Sequence, residues 1–276
     1  MTLGLGTSGT STAVSNGVVT MNSNAGTLTA TTVNMGVQTN SAATDGATGT
    51  WNQNGGTAVI TTLNMGNRTA TTATGNVSST YNLAAGTLKA QSIVAGGNGT
   101  GGGTVTRAFN WTGGTIQNLS GQDLTIASTN ALTLNLNGGS GQKFTVDASR
   151  NIFANAAITG TGGFTKDGAG TLTLSGANTY SGGTSVSAGT LALGASNVLL
   201  SSGAVTVGGG TLSLGKVGAV CAREVSRFAR KLRQDRLWSL CSTTRPRSRS
   251  RRPISTCGTS CAPRSWSRSR APHIGI

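Results

Sequence analysis

A tripeptide of Gly, Thr and an apolar residue recurs along this chain at intervals close to thirty residues. Its first copies are Gly26-Thr27-Leu28, Gly56-Thr57-Ala58, Gly86-Thr87-Leu88 and Gly114-Thr115-Ile116. Large side chains 30 residues apart accompany them, namely Met21, Trp51, Tyr81 and Trp111. The tripeptide returns, with spacings of 19 and 21 residues, at Gly170-Thr171-Leu172, Gly189-Thr190-Leu191 and Gly210-Thr211-Leu212. Repetition at a regular period predicts a repeat protein whose units are stable only when they stack.

Short runs between the glycines alternate apolar and polar residues. Examples are Leu124-Thr125-Ile126, Leu132-Thr133-Leu134-Asn135-Leu136 and Val205-Thr206-Val207. Period-two alternation indicates a strand with one buried face. Gly and Asn bracket the runs and tolerate the positive φ of tight corners. Residues 1–215 show no sustained apolar period of 3.6 residues, so we predict an all-β fold, a parallel β-solenoid.

One stretch carries a more specific pattern, Gly-Gly-apolar-Thr-Lys-x-Gly-x-Gly-Thr-Leu followed by Gly-x-Asn-Thr-Tyr-x-Gly and another Gly-Thr-Leu. It covers residues 160–194 and resembles the passenger-associated transport repeat of bacterial autotransporters, with Phe164 in place of the commoner Leu. The motif residues are Gly163, Lys166, Gly168, Gly170, Thr171, Leu172, Leu174, Gly176, Asn178, Tyr180, Gly182, Gly189 and Leu191. We predict structural roles for them: glycines at corners, leucines inward, Asn178 in a turn ladder and Tyr180 over a coil edge.

The resemblance implies a right-handed, single-stranded parallel β-helix that is a passenger exported across the outer membrane. It implies a location at the cell surface or outside the cell, with the 160–194 repeat aiding secretion and folding. Residues 1–7 do not read as a secretory signal, and the sequence after Gly215 does not read as the strands of a membrane barrel. We therefore expect a C-terminally truncated fragment of such a protein, with a structural or adhesive role.

The composition of residues 1–215 argues against catalysis. The segment contains no Cys, Pro or His, and its only acidic residues are Asp45, Asp123, Asp147 and Asp167. A Ser-His-acid or Cys-His nucleophile and a zinc site built on His or Cys are therefore excluded within it. A polysaccharide lyase or hydrolase would need several of those four carboxylates to meet through folding. We predict no enzyme activity, no catalytic or metal site and no cofactor.

Partners are expected on the outer faces and at the ends of the solenoid. Columns of Thr, Ser and Asn could bind surface glycans or host and matrix proteins, and open ends could support self-association. Trp51, Tyr81 and Trp111 share a repeat phase and are candidates for a sugar-stacking stripe, although packing over coil edges is the interpretation we favour.

Residues 216–276 differ from the rest of the chain. They contain fifteen Lys and Arg against two acidic residues, together with all four Pro and all four Cys. In isolation they predict a disordered or partly helical basic tail that binds nucleic acid or an anionic membrane. The abrupt change in composition inside a repeat also fits a frameshifted, non-native tail, which is the interpretation we favour. Domain boundaries are therefore predicted as 1–215 for the solenoid and 216–276 for the tail.

Overall fold

The computed structural model describes residues 1–6, 15–23, 26–39, 46–127, 129–138, 141–195, 198–199 and 203–214. The basic tail predicted at 216–276, and its boundary with the solenoid, lie outside the described residues. A 3-10 turn at Thr129–Ala131 is the one helical element in the described ranges. None of the helices found there is long and apolar enough to span a membrane.

The described part of the chain forms one parallel sheet of eighteen strands. The strands are β1 (Thr2–Gly6), β2 (Ser15–Met21), β3 (Thr27–Gln38), β4 (Ala47–Arg68), β5 (Val77–Ala95), β6 (Val105–Trp111), β7 (Thr115–Asn118), β8 (Leu124–Ile126), β9 (Thr133–Leu136), β10 (Lys143–Thr145), β11 (Asn151–Ala154), β12 (Ala157–Gly160), β13 (Phe164–Asp167), β14 (Thr171–Leu174), β15 (Thr184–Val186), β16 (Thr190–Leu193), β17 (Val205–Val207) and β18 (Thr211–Ser213).

The strand pairs define three faces of a coil. Face A contains β2, the starts of β4 and β5, β6, β9 and β12. Face B contains the start of β3, the middle of β4 and β5, β7, β10, β13, β15 and β17. Face C contains β1, the ends of β3, β4 and β5, β8, β11, β14, β16 and β18. The predicted all-β fold, a parallel β-solenoid, is confirmed.

The period of the sequence repeat is the length of one turn of the coil. Thr27 pairs with Thr57, Thr57 with Thr87, and Thr87 with Thr115, so the first four copies of the tripeptide form one column on face B. Register shifts of 30 residues at the start of the chain fall to about 20 between β14 and β16. The turns therefore become shorter toward the C-terminal end of the described chain.

The two series of Gly-Thr-apolar tripeptides lie at different corners. The first series begins face B, whereas Thr171, Thr190 and Thr211 form a column at the start of face C. In both series the glycine turns the corner, Thr points outward and the apolar residue points inward. The sequence therefore repeats a local conformation and not one fixed position in the coil.

The core of the coil contains the large side chains that the repeat brings into register. Trp51 stacks on Tyr81 with ring centroids 5.6 Å apart, and Tyr81 stacks on Phe109 at 5.0 Å. Trp111 does not continue this stack. Its strand partner is Leu83, the next inward residue after Tyr81 on face A, because 28 and not 30 residues separate Leu83 from Trp111. All of these side chains are buried. The sugar-stacking stripe considered for Trp51, Tyr81 and Trp111 is therefore wrong, and so is packing over coil edges.

Candidate functional site

The segment that carries the transport-repeat pattern forms two consecutive turns of the solenoid. Strands β13 and β14 belong to one turn and β15 and β16 to the next, with Thr165 opposite Ser185 and Leu172 opposite Leu191. Leu172, Leu174 and Leu191 are completely buried. Thr171 starts β14 and is half-buried. The two Thr-Leu pairs, Thr171-Leu172 and Thr190-Leu191, thus lie at equivalent positions in adjacent turns.

The motif glycines occupy corners where adjacent turns approach closely. Gly168 and Gly189 have φ of +76° and +63°, in the left-handed region that favours glycine. A Cβ atom on Gly189 would overlap the carbonyl oxygens of Gly168 and Gly170 in the preceding turn. Added Cβ atoms would also overlap neighbouring backbone at Gly163, Gly168, Gly170, Gly176 and Gly182. Glycine is therefore required for the turns to stack at strand spacing.

Lys166 is a motif residue whose side chain points into the core. It is fully buried, and its Nζ donates hydrogen bonds to the carbonyl oxygens of Asp167 at 2.9 Å, Gly168 at 2.7 Å and Ala188 at 3.1 Å. Burial lowers the pKa of the Lys166 amine to about 8, and the nearby charge of Asp167 opposes that shift. Because Ala188 lies in the next turn, the amine joins the B–C corners of two adjacent turns.

Two further motif residues satisfy polar groups inside the coil. The side-chain oxygen of Asn178 accepts a hydrogen bond from the Ile158 amide at 2.9 Å, and its Nδ2 donates to the Val198 carbonyl at 2.8 Å. Its amide therefore connects three successive turns. The Tyr180 hydroxyl lies 2.7 Å from the Thr184 hydroxyl, and its ring contacts Phe164. Tyr180 is 3% exposed, so it belongs to the core and does not cover a coil edge as expected.

Two arginines that the sequence did not single out fill the corner between faces C and A. The guanidinium of Arg68 donates to the Gln38 side chain at 2.9 Å and to the carbonyls of Gly75, Gly103 and Thr104. Arg107 donates to the carbonyls of Met65, Gly66, Gly96, Gly97 and Asn130. Burial lowers the pKa of both groups. The only signal for them in the sequence is indirect, since both cations lie close to Gly-rich corners where carbonyl groups can accept hydrogen bonds.

Each of the three described aspartates has a polar or cationic side chain as its partner. Asp123 accepts hydrogen bonds from the amide and side chain of Asn151, and Asp147 accepts from Gln117 and Asn118. Asp167 lies 3.5 Å from the Lys143 amine. These aspartates lie on three successive turns, before β8, after β10 and at the end of β13. The described ranges contain no group of three His, Cys, Asp or Glu side chains that could hold a metal ion, and Asp45 lies outside them.

A polar groove of about 610 Å³ lies on the outside of the coil, along face C and its border with face B. It is lined by Thr62, Gln91, Ser92, Gln122, Asp123, Thr125, Arg150 and Phe153. The ring of Phe153 is 36% exposed, whereas the other aromatic side chains in the described part of the chain are buried. Sequence patterns do not reveal this groove, because its residues come from separate turns.

Comparison with known proteins adds one finding. Residues 164–193 match the family model described as the passenger-associated transport repeat. No curated protein and no solved structure matches the chain significantly. The matched segment coincides with the two turns that contain Lys166 and the stacked corner glycines.

Proposed function

We propose that this chain is a segment of an autotransporter-like passenger with a structural, non-enzymatic role at the bacterial cell surface or outside the cell. The observation that carries this proposal is the transport-repeat match at 164–193, located on turns whose ladders continue into the upstream turns. A continuous parallel ladder makes each turn a template for its neighbour.

The repeat would aid secretion by folding early. Its turns have about 20 residues, against 30 upstream, so fewer residues must be ordered for each closed turn. The Lys166 amine and the Asn178 amide add hydrogen bonds between these turns. A pair of short turns joined by these hydrogen bonds can then present a strand edge, and the strands of the longer upstream turns can pair with that edge.

An export assay tests this role by comparing two matched substitutions that each create a cavity in the core. The full chain is expressed between an export signal and a membrane barrel, and the surface-exposed fraction is measured by added protease. Leu191→Ala in the repeat and Leu63→Ala upstream each remove a fully buried side chain from face C, at a cost of about 2–5 kcal/mol. We expect Leu191→Ala to reduce export more strongly. Equal or reversed effects would contradict a special role for the repeat.

Adhesion is the finer part of the proposal. The outer columns of faces A, B and C carry mainly Thr, Ser and Asn, including the hydrogen-bonded row of Asn52, Asn82 and Asn110. Such faces offer donors and acceptors to surface glycans or to host and matrix proteins, and the ladder edges offer them to a second copy of the chain. Purified full chain that bound neither immobilised glycans, matrix proteins nor itself would contradict adhesion and leave the export role standing.

A further inference from the structure

We propose that the groove on face C binds a short oligosaccharide that carries a uronic-acid carboxylate, with Phe153 as the stacking platform and Arg150 as the anion-binding group. This inference deepens the adhesive part of the proposed function and rests on it for its biological setting. Its physical basis is the groove itself.

Phe153 is exceptional in its column. Thr125 and Thr173 are its partners in the adjacent turns, and Ser92 and Thr62 continue the same column. Hydroxyl side chains suit a solvated face, whereas an exposed aromatic ring costs solvation and marks a binding surface when polar groups surround it. The C–H face of a pyranose ring is both flat and apolar, so it can stack on such a ring while its hydroxyls remain available for hydrogen bonds.

The groove has polar groups suited to sugar hydroxyls along one wall. Gln91 and Gln122 approach each other, with Nε2 and Oε1 3.5 Å apart, and each amide can both donate and accept. The column from Thr62 to Phe153 spans three strand spacings, about 14 Å, which accommodates more than one sugar ring. The ligand should therefore be an oligosaccharide and not a monosaccharide.

The groove contains one cation, Arg150, and one carboxylate, Asp123, and the two differ in their partners. Arg150 lines the groove, and its guanidinium forms no ion pair with a carboxylate of the described residues. Both oxygens of the neighbouring Asp123 already accept hydrogen bonds from Asn151. A guanidinium binds a carboxylate through two parallel hydrogen bonds, a geometry that neutral hydroxyls do not reproduce. The open cation thus selects a uronate.

The test is an NMR titration of the full chain with trigalacturonate and with the neutral maltotriose. We expect Phe153→Ala to weaken trigalacturonate binding about tenfold or more, and Phe153→Tyr to retain it. Arg150→Gln should weaken trigalacturonate about tenfold and change the affinity for maltotriose less than twofold, while Arg150→Lys should retain part of the affinity for the acid. Circular dichroism and melting temperature verify that the variants fold.

Matched controls separate the groove from nonspecific binding. Lys89→Gln removes one cation from face B, and Val18→Ala shortens an apolar side chain that is 64% exposed on face A; both should bind like the original chain. The basic residues of 216–276 contribute a background that none of these substitutions changes. Equal trigalacturonate affinity in all variants, or preference for maltotriose, would overturn the proposal. Phe153→Ala and Arg150→Gln should also be exported normally, so a failed groove is distinguishable from a failed export role.

Discussion

At the residue scale, a few cationic side chains inside the coil and at its corners donate hydrogen bonds to the backbone. Lys166, Arg68 and Arg107 direct their charged groups at carbonyl oxygens and not at carboxylates. Some of these carbonyls, such as those of Met65, Gly97 and Asp167, also accept a backbone hydrogen bond and gain a second donor. A buried acceptor without any donor costs about 1–3 kcal/mol. The cations supply those donors, and Lys166 bears an additional cost because its charge is removed from water.

The buried amine of Lys166 predicts a stability that increases with pH. Its folded pKa of about 8 lies below the ordinary value of about 10.4. Below pH 8 both states are protonated and the folded state bears the full cost of the charge. Between pH 8 and about 10.4 the folded state loses its proton while the unfolded state keeps it, so the unfolded state binds more protons and the free energy of unfolding increases.

Urea unfolding at pH 7.5 and 9.5 measures this effect. We expect the free energy of unfolding to increase by about 1–2 kcal/mol, and Lys166→Met to abolish the increase. Lys89→Met, on an outward position, should preserve it. Above about pH 10 the trend should reverse, because burial raises the pKa of Tyr180 to about 12 and the unfolded state then ionises first. An unchanged pH dependence in Lys166→Met would show that the amine is not responsible.

At the scale of the element, corners decide whether strands of adjacent turns can pair. Gly56, Gly86 and Gly114 turn the corner between faces A and B with φ of +65°, +80° and +76°. A Cβ on Gly86 would overlap the carbonyl oxygen of Gly56. Gly86 and Gly114 are therefore needed for two independent reasons, the backbone conformation and the close approach of the adjacent turn.

Gly86→Ala should destabilise the protein by about 2 kcal/mol or more, since a left-handed alanine costs about 1–2 kcal/mol before the overlap is relieved. The control is Gly102→Ala, where the nearest atom to an added Cβ is the Thr74 methyl at 3.8 Å. It should change the free energy of unfolding by about 0.5 kcal/mol or less. Thermal and urea unfolding of both variants measure the difference. Similar losses in both would contradict the stacking argument.

At the scale of the whole molecule, the unit of the described fold is the turn. Thr57 and Thr87 occupy the same position in successive turns, so residues 57–86 make up one complete turn. When these residues are deleted, Gly56 is joined directly to Thr87. Gly56 then takes the place of Gly86 at the same corner. Stability in such arrays is a sum of turns and their interfaces, so the removal of one turn preserves the remaining ladder.

We expect the chain lacking residues 57–86 to remain soluble, to retain a β-sheet circular dichroism spectrum and to melt cooperatively at a lower temperature. The matched control removes residues 57–71, about half a turn, which places every later strand on the wrong face of the coil. That control should lose its sheet spectrum or aggregate. A folded half-turn deletion, or an unfolded whole-turn deletion, would contradict the turn as the structural unit.

The groove of the proposed uronate site also belongs to the scale of the whole molecule. Its walls combine residues from four successive turns, from Thr62 to Phe153. Alternation places Thr125 and Phe153 on outward positions of their strands, whereas Arg150 lies between strands, and the sequence contains no pattern that relates Arg150 to Gln91. Only the register of the ladders brings them together.

The sequence by itself determined the alternation within the short strands, the glycine corners and the spacing of the repeat. These depend on local backbone conformation and on period-two alternation, which each short segment carries alone. Tertiary structure alone decided which face each strand joins, since Gly-Thr-Leu is equally suited to either corner. It also decided that Phe109 and not Trp111 continues the ring stack, that Lys166 points inward, and that Phe153 lines a groove. These outcomes depend on loop lengths summed over whole turns, because one residue more or less in a turn moves every later side chain relative to its neighbours.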